Sequence, residues 1–546
     1  MPSDRDTDLY AREMGDRNYS TVLPYDVWRE CFLLLNRKEH KTLSLTCVSF
    51  NDICLSFLFE EITYSCSIYF RKSHDTLLID DMLNAAQRSM DRLRSLARDA
   101  KLAPLVRKCT LWYTFNITSA VDPYYAQKGR DLYDPFIDTF TACLPSFLNM
   151  KAVDLMHSDS KMDKRILAAL ASHPKLEKVF FRSVRFGVHV TKPRMTPVEL
   201  VINNRESDVN PNSSSKVLDI FSGERLETLK IWSLAYAPKL FRSLTKQGPS
   251  KCLTSISVFM KLENIPEFYA FLALCPALTR IEVELNRPGI VPAHSIPAKA
   301  LPRLTYYSGP EEIAKALTPG RPVKKVHVHY RRRTFSRQSV MEDILPSFAQ
   351  SIGPLSFLIL DQTKCTPDTL TLISAHLPRL TKLHLLSPEE NTFPKDDLIG
   401  ELDNTPEPQG GENPLFMTCH ELHSLERKLN HIMLHTRYMD ILNWSTSRSG
   451  RALPSGLESL HLIVDSMALV KSSRYDRSEM PPHQRKYTTG DVLFALKTFV
   501  VDYPSFQSLS IGQEEEYSNF RWAKDADGAW NLYSYTDLTP DFREQL

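Results

Sequence analysis

Hydrophobic positions along the chain switch between two spacings in a recurring order. Apolar residues three and four apart, as in "KRILAALASHP", predict helices, and the Leu-x-x-apolar-x-apolar pattern after the proline predicts a short strand. The strict form, Pro-x-Leu-x-x-apolar-x-apolar, occurs at Pro174, Pro276 and Pro378, which are 102 residues apart both times. Looser copies of the strand pattern begin at Met150, Leu226, Leu253, Val323, Leu355, Leu457 and Phe506.

The repetition predicts an α/β fold built from stacked helix–strand units. A single unit cannot bury its own apolar face, whereas neighbouring units share a continuous core. The spacing of roughly 25 residues resembles that of divergent leucine-rich repeats. The asparagine that such repeats carry beyond the strand is mostly absent here, with Asn286 as the exception. The resemblance implies a curved leucine-rich-repeat-like solenoid with a parallel sheet over residues 63–546.

Several segments do not follow the repeated pattern. We expect a disordered N-terminus over residues 1–20, because it is charged and polar. Segments rich in Pro, Asn, Asp, Glu and Ser predict insertions near residues 192–215, 387–418 and 471–491. A helix is predicted between the last two, over residues 419–444.

The N-terminal block "LPYDVWRECFLLLNRKEHKTLSLTCVSFND" is unusually apolar for its length. Val27, Trp28, Cys31 and Leu34 recur at helical spacing, and "NRKEHK" separates them from a second apolar stretch. Three short helices cannot bury all of these side chains among themselves. The block therefore packs on the rest of its own chain or docks on another protein.

This block resembles the F-box, a three-helix motif that docks on the adaptor subunit of SCF ubiquitin ligases. The resemblance lies in the Leu-Pro start, the acid at Asp26, the charged break and the stretch "LSLTCVSFNDIC", and it predicts an F-box over residues 21–62. His40 departs from the leucine usual in the family. The adaptor-binding residues implied by the resemblance are Leu23, Pro24, Val27, Trp28, Leu43, Leu45 and Val48.

A second stretch, "GPEEIAKALTPGRPVKKVHV", is similar to one that recurs in fungal F-box proteins with degenerate leucine-rich repeats. Together the resemblances imply a non-catalytic substrate receptor of an SCF-type ubiquitin ligase. Its partners would be the adaptor, cullin through the adaptor, and an unknown substrate protein. Two alternatives stay open: a repeat scaffold acting outside a ligase, and a metal-dependent hydrolase.

Composition adds limits on partners and location. The 67 basic and 65 acidic residues leave a net charge of +2, so nucleic acid is not an expected partner, despite the basic cluster "HYRRRTFSR". No apolar run reaches the ~18 residues of a membrane helix, and no secretory signal begins the chain. Ten scattered cysteines without a C-x-x-C pair suit a reducing compartment. We expect an intracellular protein, cytoplasmic and/or nuclear.

No motif predicts a cofactor or a metal ion. Phosphate-binding glycine loops and a G-x-S-x-G elbow are missing from the sequence. His431 and His435 have helical metal-compatible spacing, but "HIMLH" lacks the glutamate of H-E-x-x-H. His327, His384 and His461 share one strand position in three units. The unit between the first two has Ile359 at that position, so the histidines do not form a continuous row of metal ligands. We interpret them as exposed sheet histidines.

The substrate is expected on the outward face of the strands. The apolar positions of each strand point inward, and the positions between them point outward, because side chains alternate along a strand. A basic bias over residues 324–384 predicts an acidic or phosphorylated substrate segment. The candidate substrate-binding residues are Lys178, Phe180, Lys230, Arg280, Lys324, Lys325, His327, Phe357, Lys382 and His384, with Glu282 beside them.

Overall fold

A computed structural model gives the conformation of most of the chain. The chain divides into two compact units, Met1–Met260 and Lys261–Leu546. The residues that the structure describes are 23–70, 76–117, 123–158, 162–186, 194–204, 215–287, 296–297, 299–329, 337–361, 363, 367–387, 453–464, 496–497, 500–501, 503–513 and 520–534.

The first unit begins with three short helices, α1 (Tyr25–Leu33), α2 (Arg37–Leu43) and α3 (Val48–Glu60). A capping box starts α2: the Asn36 side chain accepts from backbone N–H groups, and the Glu39 side chain accepts from the Asn36 N–H at 2.7 Å. The helices share a small core of Phe32, Ile53 and Cys54. Six partly buried side chains pack against this core: Trp28, Leu35, Leu43, Phe50, Phe57 and Leu58.

Seven parallel strands follow in the first unit, paired in chain order. They are β1 (Glu61–Phe70), β2 (Lys108–Ile117), β3 (Ala152–Ser158), β4 (Lys178–Arg182), β5 (Glu199–Asn203), β6 (Thr228–Trp232) and β7 (Ser255–Met260). The helices that connect them are α4 (Thr76–Arg98), α5 (Pro123–Cys143), α6 (Lys164–Ala171) and α7 (Ala237–Gln247). Alternate residues of β4, β6 and β7 are buried, so one face of these strands carries the core.

The second unit contains seven further parallel strands and a terminal antiparallel pair. The strands are β8 (Arg280–Leu285), β9 (Tyr306–Gly309), β10 (Lys325–Val328), β11 (Phe357–Asp361), β12 (Lys382–Ser387), β13 (Ser459–Val464), β14 (Ser508–Gln513), β15 (Phe520–Lys524) and β16 (Trp530–Ser534). The helices are α8 (Ile265–Leu272), α9 (Glu311–Leu317), α10 (Arg337–Ala349) and α11 (Pro367–His376).

A backbone signature repeats at the start of successive strands within each unit. The Lys151 carbonyl accepts from the N–H groups of both Glu177 and Lys178, at 2.8 Å each. In the second unit the Lys324 carbonyl accepts in the same way from Ser356 and Phe357. One carbonyl thus starts each new strand beside the previous one, which gives the repeated sequence pattern a repeated local geometry.

Two predictions about the sheet need correction. The insertion predicted near residues 192–215 is wrong over its centre, because Glu199–Asn203 forms β5 between β4 and β6. Leu200 and Ile202 are fully buried there, so a two-point apolar alternation is enough to hold the strand. The sheet is not purely parallel either, since β15 and β16 pair antiparallel to β14 and to each other.

Other predicted segments lie outside the described residues. These are the N-terminal residues 1–20, residues 388–418 of the second insertion, the third insertion at 471–491, and the helix predicted over 419–444 with His431 and His435. Within the described part of the chain, no helix is both long and apolar enough to span a membrane.

Arg321 holds the turn that follows α9. Its side chain is 1% exposed and carries a guanidinium into a buried site. That group donates to five backbone carbonyls at 3.0–3.3 Å, from Ile296, Pro297, Ala300, Ala316 and Pro319. Burial lowers the pKa of Arg321 from its usual value, and the five carbonyl dipoles compensate the buried charge. This residue lies inside the sequence stretch that resembled fungal F-box proteins.

Candidate functional site

The three N-terminal helices leave large apolar side chains on their surface. Leu45 is 87% exposed and Val48 is 77% exposed, at the turn between α2 and α3. Seven of the thirteen exposed large hydrophobic side chains in the described residues lie in this short segment, so the exposed apolar surface is concentrated there. The seven are Leu23, Tyr25, Val27, Leu33, Leu34, Leu45 and Val48.

The predicted adaptor-binding residues divide into two groups. Leu23, Pro24, Val27, Leu45 and Val48 are exposed and available to a partner. Trp28 and Leu43 are partly buried and pack on the core of the three helices. The Trp28 ring meets the Phe50 ring edge-on at 4.9 Å between centroids, so a substitution at Trp28 changes the helices as well as any interface.

His40 is accommodated inside the helical core rather than on its surface. It is 6% exposed, and its ring stacks on Phe57 at 4.8 Å between centroids. Its Nε2–H donates to the Phe32 carbonyl at 2.8 Å, because a carbonyl can only accept. That carbonyl also accepts from the Leu35 N–H at 3.0 Å, so it keeps one backbone partner without the histidine.

Substitutions at His40 are expected to separate packing from hydrogen bonding. His40→Ala should destabilise the three helices by about 2 kcal/mol, because it leaves a cavity beside Phe57. His40→Leu should cost less than about 1 kcal/mol, since the Phe32 carbonyl keeps its backbone donor. Hydrogen exchange of residues 25–60 in the full chain measures both. Equal losses for alanine and leucine would show that the hydrogen bond, and not the ring volume, stabilises this core.

Comparison with family models matches residues 21–61 to the F-box domain. Comparison with curated proteins gives no match. The chain therefore contains an F-box domain, and the resemblance drawn from the N-terminal block is confirmed. F-box domains typically bind the adaptor subunit of SCF ubiquitin ligases and, through it, cullin. The matched segment covers α1 to α3 and ends at the first residue of β1.

The outward face of the first unit carries paired rather than free charges. Lys178 and Lys230 both approach the Glu199 carboxylate from neighbouring strands, at 3.5 Å and 3.4 Å. Phe180, on the same strand as Lys178, is half-buried. The strand that the sequence interpretation missed, β5, thus neutralises two of the predicted basic residues.

The second unit has a row of alternating aromatic and basic side chains across the starts of β8 to β11. The Arg280 guanidinium lies 4.3 Å from the Tyr306 ring centroid. The Lys325 ammonium lies 5.3 Å from the Tyr306 ring and 4.4 Å from the Phe357 ring. Such cation–π contacts hold the cations in place. Arg280 is also paired with Glu282.

Lys324 and Lys382 complete the predicted basic residues of this unit. Both are exposed, and neither forms an ion pair with any residue that the structure describes. Lys324 comes directly before β10, whereas Lys382 begins β12 next to Phe357 of β11. These two lysines are therefore the predicted cations best placed to meet an acidic partner.

The histidines are less exposed than predicted, and this interpretation is corrected. His461 is buried, and its ring lies 4.8 Å from that of His384, which also meets Phe357 edge-on at 4.6 Å. Burial, His461 and the nearby Lys325 and Lys382 charges lower the pKa of His384 to about 2. His384 is therefore neutral at physiological pH and adds no positive charge to the face.

His327 belongs to a hydrogen-bonded cluster that the sequence interpretation missed. Its Nε2 lies 2.8 Å from Asp361 Oδ1, and His329 Nδ1 lies 2.6 Å from Asp361 Oδ2. Ser308 Oγ is 2.8 Å from His329 Nε2 on the other side of that ring. The signal was available: a His-x-His pair follows one strand pattern, and an aspartate stands at the end of the next.

Charge and exposure limit what this cluster can do. Burial alone would raise the pKa of Asp361, but the hydrogen bonds from His327 and His329 lower it to about 2, so the carboxylate stays ionised. Ser308, His329 and Asp361 are hydrogen-bonded in the same sequence as the residues of a Ser-His-Asp triad. However, Ser308 is 6% exposed, so its hydroxyl is not presented to a substrate in this structure.

Proposed function

We propose that the chain is the non-catalytic substrate-recognition subunit of an SCF-type E3 ubiquitin ligase, acting in the cytoplasm or nucleus. The F-box domain would dock on the adaptor, and the strand-and-helix repeats would bind a substrate protein. The chain would supply proximity, raising the local concentration of a substrate lysine near the ligase's catalytic partner.

The exposed apolar surface of the F-box is the observation that carries this proposal. Side chains such as Leu45 and Val48 cost free energy in water, roughly 25 cal/mol per Å² of apolar surface left exposed. Their concentration in one matched domain is typical of a docking surface. A polar outer surface would be expected if the three helices served only as the end of a repeat array.

The repeats are proposed to form a curved leucine-rich-repeat-like solenoid of the fungal F-box type. Supporting this, strands pair in chain order within each unit, and one carbonyl starts each new strand. Stacked repeats of this kind present an extended binding face. We place the substrate on the second unit's outward face, where Lys382 lies opposite Phe357 and where Lys324 and Lys382 are exposed.

The chemistry of that face favours an acidic or phosphorylated segment. Two exposed lysines next to half-buried aromatic rings can pair with carboxylates or phosphates and bury apolar atoms beside them. The Lys178 and Lys230 side chains contribute less in this proposal, because Glu199 already pairs with both.

Affinity purification of the tagged full chain from its own cells tests both halves of the proposal. Lys324→Glu with Lys382→Glu is expected to reduce substrate recovery at least ~10-fold, because both charges on the face are reversed. Adaptor and cullin should be recovered in unchanged amounts, since the F-box is untouched. Lys325 is left unchanged because its ammonium packs on two rings.

The matched control is Lys299→Glu with Arg303→Glu, which changes the net charge equally at exposed positions outside the strands. It should recover adaptor, cullin and substrate as the unchanged chain does. Substrate recovery that is equal in the two double variants would remove the second unit's basic face as the recognition site. Absence of adaptor and cullin from every preparation would instead contradict the ligase assignment.

A further inference from the structure

Three metal-ligating side chains converge at the ends of β10 and β11. His327 and His329 are two residues apart and present their rings on one side of the strand. One ligand atom each from these histidines and from Asp361 lies within 4.8 Å of the other two. We propose that His327, His329 and Asp361 bind a single divalent first-row transition-metal ion, with zinc as the representative ion.

The backbone explains why the three side chains meet. In the parallel register, His327 is opposite Ile359 and Val328 is opposite Leu360. His329 therefore follows at the level of Asp361, and its own N–H donates to the Gly309 carbonyl at 2.9 Å, which continues the strand pairing. The carboxylate is placed between two imidazoles that belong to the adjacent strand.

The donor set suits zinc-type ions. Two neutral imidazoles and one carboxylate are ligands that zinc accepts at about 2.0–2.2 Å, and three protein ligands leave one position for water. A bound ion would replace the two ring protons that now lie between the histidines and Asp361. All three side chains are partly exposed, so an ion and a water molecule can reach them.

Ser308 lies within hydrogen-bond distance of both rings, on the side that faces away from Asp361. Its Oγ lies 2.8 Å from His329 Nε2 and 3.4 Å from His327 Nδ1, the nitrogens that face away from Asp361. Histidines that bind metal usually donate their other ring N–H to such an acceptor. A hydroxyl can donate when the ion is absent and accept when it is present. The buried serine thus suits both states.

The Lys325 ammonium packs on aromatic rings rather than pairing with Asp361. Lys325 lies two residues before His327 on the same strand, but its ammonium is over the Tyr306 and Phe357 rings. Among the described residues, no lysine or arginine pairs with Asp361; its ion-pair partners there are His327 and His329. The carboxylate charge is therefore available to a cation.

The same atoms also form a hydrogen-bond network without an ion, in which both rings donate to Asp361. A metal site and a purely hydrogen-bonded cluster predict different results when zinc is added. Chelator-treated full chain should take up zinc at this site with a dissociation constant of about 10 μM or tighter, measured by calorimetric titration. Bound cobalt should show the visible absorption of a tetrahedral site, and magnesium, which prefers six oxygen ligands, should not compete.

Asp361→Asn and His329→Asn are each expected to weaken the affinity for zinc at this site at least ~10-fold, because each removes a direct ligand. His384→Gln is the control: it changes a histidine on β12, the strand next to β11, that contacts Phe357 and His461 and is not one of the three ligands, and zinc binding should stay unchanged. Circular dichroism of each variant verifies folding. His329→Asn, at the strand end and more exposed than Asp361, carries the test if Asp361→Asn does not fold.

Two results would overturn the proposal. The first is that the unchanged chain takes up no zinc at ~100 μM, a concentration well above the expected dissociation constant. Alternatively, both ligand variants could keep the full stoichiometry and affinity of the unchanged chain, which would place the ion elsewhere. Neither result depends on adaptor binding, so the failure of this proposal is distinguishable from failure of the proposed function.

Discussion

Leu45→Glu with Val48→Glu is expected to abolish adaptor binding while the chain stays folded. Both side chains are exposed at the turn between α2 and α3, so neither contributes to the helical core. At a docked interface, however, each glutamate would bring an unpaired carboxylate into an apolar contact. A few kcal/mol of penalty corresponds to a loss of at least ~100-fold in affinity. Pull-down of purified adaptor by the purified chain measures it.

The control places the same change elsewhere. Ile352→Glu with Val501→Glu replaces two exposed apolar residues outside the F-box and should leave adaptor binding unchanged. Leu45 and Val48 are better test positions than Trp28, whose ring packs against Phe50 and whose truncation would also loosen the helices. Adaptor recovery by the Leu45 and Val48 variant equal to that of the control would show that the exposed face is not the docking surface.

Arg321→Met is expected to be the most destabilising single substitution in the second unit. Methionine fills much of the volume but donates no hydrogen bond, so five backbone carbonyls lose the guanidinium donor at once, while the Pro297 carbonyl keeps the Ala300 N–H. Each buried polar group left unpaired costs roughly 1–3 kcal/mol, and water entry recovers part of that. A net loss of about 3 kcal/mol or more is expected in urea unfolding, with faster hydrogen exchange over residues 299–329.

Arg303→Met is the matched control for Arg321→Met. Arg303 is exposed in the same unit, and its replacement should change stability by less than about 0.5 kcal/mol. If the two methionine variants unfold at the same urea concentration, the buried guanidinium does not stabilise the turn after α9. The position of Arg321 within the stretch 309–328 suggests a structural reason for that motif.

Most strands were predictable because the same spacing of apolar residues recurs at each of them. The prolines at 174, 276 and 378 precede β4, β8 and β12, and each weaker copy also coincides with a strand. β9 was missed although "PRLTYYSG" follows the same pattern, because Gly309 stands at the final apolar position. Gly309 has φ of 151°, and a Cβ there would approach the Val283 carbonyl within 2.7 Å.

The F-box could be located from sequence, but its division into core and surface could not. Val27 and Trp28 are adjacent apolar residues in one helix, yet the first is exposed and the second packs on Phe50. Likewise, the spacing of His327, His384 and His461 predicted one exposed row. Register with Asp361 and the edge-on contact with Phe357 decide the exposure of His327 and His384, and both depend on neighbouring strands rather than on local pattern.

Calorimetric titration of the full chain with purified adaptor tests the central claim most directly. We expect a one-to-one complex with a dissociation constant below about 1 μM. Its heat-capacity change should be negative, because apolar side chains such as Leu45 and Val48 leave water on binding. No binding heat at two temperatures, with adaptor at ~50 μM, would contradict the assignment of this chain as an SCF subunit.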